Sequence, residues 1–231
     1  MSKIFLSGIF VCLIVSIAFA QVFKTVNIAF TREIKKNGIK EVSRGHIYYN
    51  NKKTILKITD PISQWMIIDS KSIIIYYPVE KEAMKINCSL PVALPFLDLF
   101  INVINENFGL AELGYHVEKN EFKNDTLYTY WGPAEKNRGS MGQVIFALVN
   151  NKIVFSESKD PQGKTIFKTF YQDHITSRTK YIPLKMTILK FFETGITIED
   201  IVYANPVFNQ PLPKEIINFR IPDNITIEVI E

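Results

Sequence analysis

Short runs of apolar and β-branched residues, separated by turn residues, dominate the chain from Glu41 onward. β-Branched and aromatic residues bounded by Asn, Asp, Pro or Gly are typical of strands, so the pattern predicts an antiparallel meander. The runs in the first half are Gly45 to Tyr49, Thr54 to Thr59, Ser63 to Ile68 and Ser72 to Tyr77. Those in the second half are Leu127 to Trp131, Gln143 to Val149, Ile153 to Glu157, Thr165 to Tyr171, Leu184 to Phe192 and Thr197 to Ala204.

Two segments have helical spacing instead. Phe23, Val26, Phe30 and Ile34 recur as one apolar stripe before Asn37-Gly38, which predicts an amphipathic helix that ends there. Leu90 to Leu113 carries a second helical stripe. Two interpretations of this second helix stay open, namely a core helix packed on the sheet and a lid over a lipid cavity.

Several of the predicted strands are apolar on both faces. The run Ile73 to Tyr77 contains no polar residue, whereas a half-exposed antiparallel strand alternates apolar and polar positions. We therefore expect one face of the sheet to need an additional cover, supplied by helices or by a ligand.

The first twenty residues have the pattern of an export signal. Lys3 precedes the apolar run Ile4 to Ile17, and Ala18-Phe19-Ala20 places small residues at the cleavage positions. We expect cleavage before Gln21, which leaves residues 21–231 as a single domain. The alternatives are an uncleaved N-terminal anchor and a lipoprotein signal, and the residues before Cys12 do not fit the latter.

Composition and motifs give little sign of bond chemistry. The net charge of +4 is spread along the chain without a basic run, so we expect no nucleic-acid partner. His46, His116 and His174 lack metal-ligand spacing, and Cys88 would be the sole cysteine after cleavage. Nucleophile-elbow and phosphate-loop motifs are missing as well. The sequence therefore predicts no catalytic residues, no metal, no cofactor and no enzymatic activity.

Three segments resemble the LolA family of periplasmic carriers of outer-membrane lipoproteins. The first runs from Phe30-Thr31-Arg32 to Ser43-Arg44-Gly45-His46-Ile47-Tyr48. The second runs from Pro61 to Pro78 and is close to the family's order of Pro, strand, Asp-Gly-Lys turn, strand and Tyr-x-Pro, with Ser70 in place of Gly. The third joins Asn209-Gln210-Pro211-Leu212-Pro213 to Phe219-Arg220-Ile221-Pro222. The three segments follow one another in the family's order.

The resemblance implies a mainly β fold with a few helices, an unclosed antiparallel β-barrel of about eleven strands whose concave face is plugged by helices. The implied function is a monomeric periplasmic chaperone for acylated lipoproteins. Its partners would be an inner-membrane ABC-type release complex and an outer-membrane acceptor. The alternative is a LolB-like or RseB-like half-barrel that binds lipid or senses lipoproteins and takes other cargo.

We expect ten apolar side chains on the concave face to contact lipid. Alternation along the strands and the family's concave binding face motivate this choice, and a register slip of one residue would reverse it. The expected lipid-binding residues are Ile47, Tyr49, Leu56, Ile58, Trp65, Ile67, Ile75, Leu97, Phe100 and Ile104. The Arg that closes the lid in the family has no equivalent in the first hairpin, where Asn51 or Lys53 would have to replace it.

Overall fold

The computed structural model describes residues 23–50, 53–69, 71–87, 108–111, 113–177 and 180–230. Within these residues, fourteen strands form one sheet in the order β14-β6-β5-β4-β3-β2-β1-β13-β12-β11-β10-β9-β8-β7. The first six are β1 (Thr25–Lys36), β2 (Ile39–Asn50), β3 (Lys53–Asp60), β4 (Gln64–Ile68), β5 (Ser72–Tyr77) and β6 (Glu82–Asn87). The others are β7 (Tyr115–Lys123), β8 (Thr126–Pro133), β9 (Val144–Val149), β10 (Lys152–Lys159), β11 (Thr165–Ser177), β12 (Lys180–Phe192), β13 (Gly195–Phe208) and β14 (Ile227–Ile230).

Neighbouring strands in the chain are almost always neighbours in the sheet. This confirms the meander that the sequence predicts. Two pairings among the described strands join distant parts of the chain: β1 pairs antiparallel with β13 at the centre, and β14 returns to pair in parallel with β6. In the part of the chain that the structure describes, the sheet ends at β14 and β7 without closing, in agreement with an open barrel. The described residues form fourteen strands, compared with about eleven implied by the resemblance, and the runs in the sequence did not include β1, β6, β7 and β14.

The helix expected over Phe23 to Ile34 is wrong, because the chain forms β1 from Thr25 onward. Val26, Phe30 and Ile34 are four residues apart, and this spacing puts them on one side of a strand as well as near one side of a helix. Ile28 fills the alternate position between Val26 and Phe30 and is fully buried with them. The segment therefore alternates with period two, and pairing with both β2 and β13 fixes it as a strand.

Regular helices are short in the part of the chain that the structure describes. They are a 3-10 helix over Glu135–Asn137 and α1 over Lys214–Ile217. No helix among these residues is long and apolar enough to cross a membrane. The helix expected over Leu90 to Leu113 falls mostly outside the described residues, and residues 108–111 form a turn. The helices expected on the concave face are therefore not confirmed.

One face of the sheet, which we call the core face, carries a single large apolar cluster. The cluster takes residues from β1–β3 and β8–β13, together with Phe23 and Leu110. Its centre is excluded from water, since Ile28, Ile47 and Ile201 have no accessible surface. Even strands far apart in sheet order thus contribute to one continuous core, as expected of a sheet that curls around its own apolar face.

The opposite side, which we call the outer face, has a smaller cluster under the segment 209–226. Leu212 and Ile216 of this segment pack on Tyr48 of β2 and Ile55 of β3. The segment is anchored where it leaves β13, because Thr25 Oγ1 donates a hydrogen bond to the Gln210 carbonyl oxygen at 2.7 Å. The segment crosses the outer face and leads into β14, which pairs with β6 at the sheet edge. Residues that follow the last strand of the meander therefore pack on the hairpins that its first strands form.

The turn between β4 and β5 lies within the second segment that resembles LolA. The Asp69 carboxylate accepts hydrogen bonds from the backbone N–H groups of Lys71 and Ser72, both at 2.8 Å. The bond from Lys71 is the main reason why the pKa of Asp69 lies below its ordinary value. An aspartate at this position therefore stabilises the turn through its own side chain.

Candidate functional site

The core face contains five of the residues expected to bind lipid. Ile47 and Leu56 belong to its buried cluster, and Tyr49 and Ile58 pack against that cluster. Ile75 shares the face by register, because it pairs with Met66, which pairs in turn with Leu56. Cross-strand partners project to the same side of a sheet, so these residues form one surface on β2 to β5.

The expectation that Trp65 and Ile67 lie on this face is wrong. Trp65 pairs with Lys57 and Ile67 pairs with Ile55, and both partners flank Leu56 and therefore project to the outer face. Trp65 stacks on Phe219 of the segment 209–226, with ring centroids 4.0 Å apart and an interplanar angle of 11°. The inward positions of β4 are Met66 and Ile68, one residue away from the expected Trp65 and Ile67. A shift of one residue exchanges the two faces of a strand.

The other three expected residues, Leu97, Phe100 and Ile104, lie outside the described residues. The turn that follows them is described, and it packs on the core face. Phe108 stacks on Phe146 of β9 with ring centroids 4.1 Å apart, and Leu110 is buried in the core cluster. The chain entering β7 thus returns across the core face rather than along the outer face.

A group of charged side chains, the charged triad of Arg32, Glu199 and Lys190, interrupts the apolar core face. Arg32 Nε lies 2.5 Å from Glu199 Oε1, and Lys190 Nζ lies 2.6 Å from Glu199 Oε2. The residues come from β1, β13 and β12, three adjacent strands with β13 in the middle. The Glu199 side chain is only 1% exposed, whereas Arg32 and Lys190 retain 27% and 18% exposure. The triad therefore has a buried negative centre and a partly accessible positive side.

The two contacts of Glu199 differ in kind. Arg32 Nε donates a hydrogen bond to Glu199 Oε1. Glu199 Oε2 accepts no hydrogen bond among the described residues despite its short distance to Lys190, so that contact is an ion pair without hydrogen-bond alignment. Burial raises the pKa of Glu199, but the adjacent cations of Arg32 and Lys190 more than reverse this effect and leave the pKa below its ordinary value. Glu199 is therefore ionised at neutral pH.

Further polar groups extend the triad along the core face. The hydroxyls of Ser156 and Tyr171 are 3.0 Å apart and both residues are buried. Burial raises the pKa of Tyr171, and burial together with the charge of Glu199 raises the pKa of Tyr203. Both phenols are therefore neutral and can donate hydrogen bonds inside an otherwise apolar surface.

A cavity of ≈ 360 Å³ opens near the ends of β9 to β11. Tyr115, Val144 and Phe167 line it, and the Tyr115 hydroxyl donates a hydrogen bond to the Gly142 carbonyl oxygen at 3.1 Å. A side chain at Gly142 would collide with the carbonyl oxygens of the β10–β11 turn, so glycine is required there. Phe167 is the cross-strand neighbour of Lys190, which places this cavity beside the triad.

Among the described residues, no group of three or more His, Cys, Asp or Glu side chains could hold a metal ion. The core face offers apolar area, buried hydroxyls and a charged triad. Such a surface can bind an amphiphilic molecule, since apolar area retains the chain and a few polar groups orient it.

The charged triad was not predicted from the sequence, although one signal for it was present. Glu199 alternates with Ile201 and Tyr203 on the inward side of a predicted strand, and Lys190 alternates with Ile188 in the same way. Charged residues at inward positions of neighbouring strands indicate a buried ion pair. Arg32 could not be added, because its segment was assigned to a helix.

Known structures with a similar fold were found, whereas neither a protein-family model nor a curated protein matches the chain. A LolA superfamily protein from Nitrosomonas europaea has 15% identity and a TM-score of 0.59, covering 86% of this chain and 90% of that chain. A DUF1329 family protein from Desulfovibrio piger has 11% identity and a TM-score of 0.63, covering 84% and 90%. A domain described as an outer membrane lipoprotein-sorting protein, from Vibrio parahaemolyticus, has 13% identity and a TM-score of 0.59, covering 84% and 89%.

Identities this low show similarity of fold and not of function. All three similarities extend over most of both chains, so they concern the whole sheet rather than one hairpin. They agree with the family resemblance of the three sequence segments. The chain therefore has a LolA-like fold.

Proposed function

We propose that this protein is a periplasmic chaperone that binds the acyl chains of lipoproteins released from the inner membrane and carries them to the outer membrane. The continuous apolar core face is the observation that supports this proposal most strongly. It extends over nine strands, whereas the apolar cluster of the outer face is small. A LolA superfamily protein and a lipoprotein-sorting domain are among the structures of similar fold, which favours the same class of cargo.

Binding to this face would stabilise acyl chains substantially relative to water. Transfer of one CH₂ group from water to an apolar surface contributes about 0.8 kcal/mol. A chain of about sixteen carbons therefore contributes on the order of 10 kcal/mol before the entropic costs of binding are subtracted. Directional transfer needs no covalent step, because cargo moves to whichever protein binds it more tightly.

The proposed lipid-binding surface differs in part from the one expected from sequence. Ile47, Tyr49, Leu56, Ile58 and Ile75 stay in the set, as do Leu97, Phe100 and Ile104. Met66 and Ile68 replace Trp65 and Ile67, because both pack against the core cluster and share the face of Leu56.

The cellular part of the proposal follows from the sequence pattern and the resemblance. We propose export with cleavage before Gln21, and a monomeric, single-domain mature protein over residues 21–231. Its partners would be an inner-membrane ABC-type release complex and an outer-membrane acceptor. The protein would be a carrier and not an enzyme.

A release assay tests this proposal. The full chain is expressed in a bacterium, purified from the periplasmic fraction, and its N-terminus is determined to check for cleavage before Gln21. It is then added to spheroplasts that synthesise a labelled triacylated lipoprotein. We expect the labelled lipoprotein to appear in the supernatant in a one-to-one complex with this protein.

Adjacent residues of β4 provide a matched pair of variants. Met66→Glu places a charge on the core face, and Ile67→Glu places the same charge on the outer face. We expect Met66→Glu to abolish release and Ile67→Glu to retain it, with circular dichroism showing that both variants are folded. If wild-type protein releases no lipoprotein although the native release complex is present, the carrier proposal fails. The alternative, a lipid-binding or lipoprotein-sensing half-barrel with other cargo, would then be favoured.

A further inference from the structure

The charged triad is an unusual feature of a surface that otherwise suits acyl chains. Burying an ion is costly unless it is paired, and purely apolar residues would fill the same space without that cost. Its position is also specific, since Glu199 is held between Arg32 on one neighbouring strand and Lys190 on the other.

The charges of the triad do not balance. Two cations face one carboxylate, so the group carries a net charge of +1 at neutral pH. The carboxylate is buried while both cations are partly exposed, so an approaching ligand meets positive charge. The Lys190 ammonium lies 2.6 Å from Glu199 Oε2 and carries three N–H groups, more than this one contact can use. It therefore has N–H groups available for an additional acceptor.

Apolar and open surfaces adjoin the triad on different sides. Toward the middle of β12 and β13 lie Ile188, Met186 and Ile201, which are almost completely buried in the core cluster. On the other side, Lys190 is next to Phe167, which lines the open cavity. The buried side is closed to a ligand, so an amphiphile with one anionic end would reach the triad from the open side, with its apolar chain against Phe167.

We propose that the core face binds an acyl amphiphile with an anionic head group, a carboxylate or a phosphate, held by Lys190 and Arg32. The inference rests on the acyl-binding surface of the proposed function and adds a second class of ligand, because the acylated end of a lipoprotein carries no anionic head group. The head group accepts charge-assisted hydrogen bonds from the two cations, and the acyl chain extends past Phe167 into the open cavity that Val144 and Tyr115 line. Such bonds are stronger than neutral ones, and the low local dielectric strengthens the attraction further.

Ligands that differ only in the head group test the proposal. Palmitate and 1-palmitoyl lysophosphatidic acid carry the two anionic head groups, and hexadecanol and monopalmitoylglycerol are neutral counterparts with the same chain length. Affinities are measured by competition against a fluorescent fatty acid at pH 8. We expect wild-type protein to bind at least one anionic ligand about tenfold more tightly than its neutral counterpart. Which anionic ligand is preferred separates carboxylate from phosphate recognition.

Two lysines of β12 supply a matched pair of variants. Lys190→Met removes a positive charge from the core face, and Lys185→Met removes a positive charge from the outer face of the same strand. We expect Lys190→Met to lose the preference for anionic ligands while it binds neutral ligands as before. Lys185→Met should behave as wild type. Glu199→Gln keeps the side-chain volume and raises the net charge of the triad, so it should retain or increase the preference.

The outcomes separate this inference from the function on which it rests. Equal affinity for anionic and neutral ligands in wild-type protein would overturn the head-group assignment and leave the apolar carrier intact. Loss of the preference in both Lys190→Met and Glu199→Gln would indicate a purely structural triad and would also overturn it. Failure of every amphiphile to bind would instead overturn the proposed function.

Discussion

The two faces of the sheet bury their residues in different ways. On the core face, nine strands contribute to one cluster, and even a carboxylate is enclosed there. On the outer face, a four-residue buried cluster depends on the segment 209–226, which is brought back over the sheet. The core face is therefore built by the sheet itself, whereas the outer cluster is built by an added piece of chain.

Two ion pairs of similar length show what this difference means for energetics. Arg32 and Glu199 approach to 2.5 Å on the core face, and Arg44 and Asp60 approach to 2.6 Å where β2 and β3 meet solvent. In the second pair, both side chains are at least half exposed, at 59% and 50%. Water screens the exposed pair, whereas the buried pair must compensate for lost hydration. Distance alone does not indicate the importance of an ion pair.

Removal of both cations from the triad should have the largest effect. The double variant Arg32→Met/Lys190→Met leaves the Glu199 carboxylate buried without counter-charge, and we expect the free energy of unfolding to fall by about 3–5 kcal/mol. Addition of Glu199→Gln should restore part of this loss, because a neutral amide costs less to bury. Urea unfolding followed by circular dichroism measures these changes.

Arg44→Met is the control for the triad variants, because it breaks an exposed ion pair. We expect it to change the free energy of unfolding by less than about 1 kcal/mol. Equal losses in Arg44→Met and the double variant would show that burial does not distinguish the two regions.

Truncation of Ile216 should have an intermediate and local effect. Ile216 is the buried residue of α1, at 1% exposure, whereas its neighbour Ile217 is 48% exposed, so Ile217→Ala is a matched control. We expect Ile216→Ala to lower the stability of the segment 209–226 by about 2–4 kcal/mol and Ile217→Ala by less than about 0.5 kcal/mol. Hydrogen exchange should rise in the segment and in β14, but not in β12 and β13. Increased exchange throughout the sheet would mean that both faces unfold as one unit.

Acid titration should reveal the smallest effect. The pKa of Glu199 in the folded protein lies below its ordinary value of 4.5, so its ionised form stabilises the fold. This stabilisation is fully present above the ordinary pKa and is lost as pH falls through the lower pKa of the folded protein. Wild type should therefore lose stability relative to Glu199→Gln as the pH falls. Urea unfolding of both proteins at a series of pH values measures this change in the free energy of unfolding. A difference independent of pH would contradict a lowered pKa.

Much of the sheet could be predicted from the sequence, and the errors have physical causes. Runs such as Thr54 to Thr59 have strong β-propensity and clear turns, and the structure confirms them as strands. β7 is mostly exposed and carries charged residues such as Lys119 and Glu121, so it lacks an apolar period. β1 has a spacing that suits both helix and strand, and only its two partner strands distinguish the alternatives.

The candidate site was predictable only in part for a related reason. Ile47 and Leu56 were assigned to the correct face because polar or small residues interrupt their strands, as at Lys57 and Gly45. In β4 the run Trp65 to Ile68 is apolar at every position, so no local pattern indicates which side faces inward, and Trp65 and Ile67 were assigned to the wrong face. Pairing with Lys57 and Ile55 determines the inward side in the structure.

By itself, the sequence determined the class of this protein, which is a β meander with excess apolar surface and a LolA-like order of motifs. These properties follow from local propensity and turn chemistry, which act over a few residues. The tertiary structure decided which side of β4 faces the core and how residues 209–226 cover the outer face. It also brought Arg32 to Glu199, 167 residues apart in the chain. Such contacts depend on the register between distant strands, and no local pattern encodes that register.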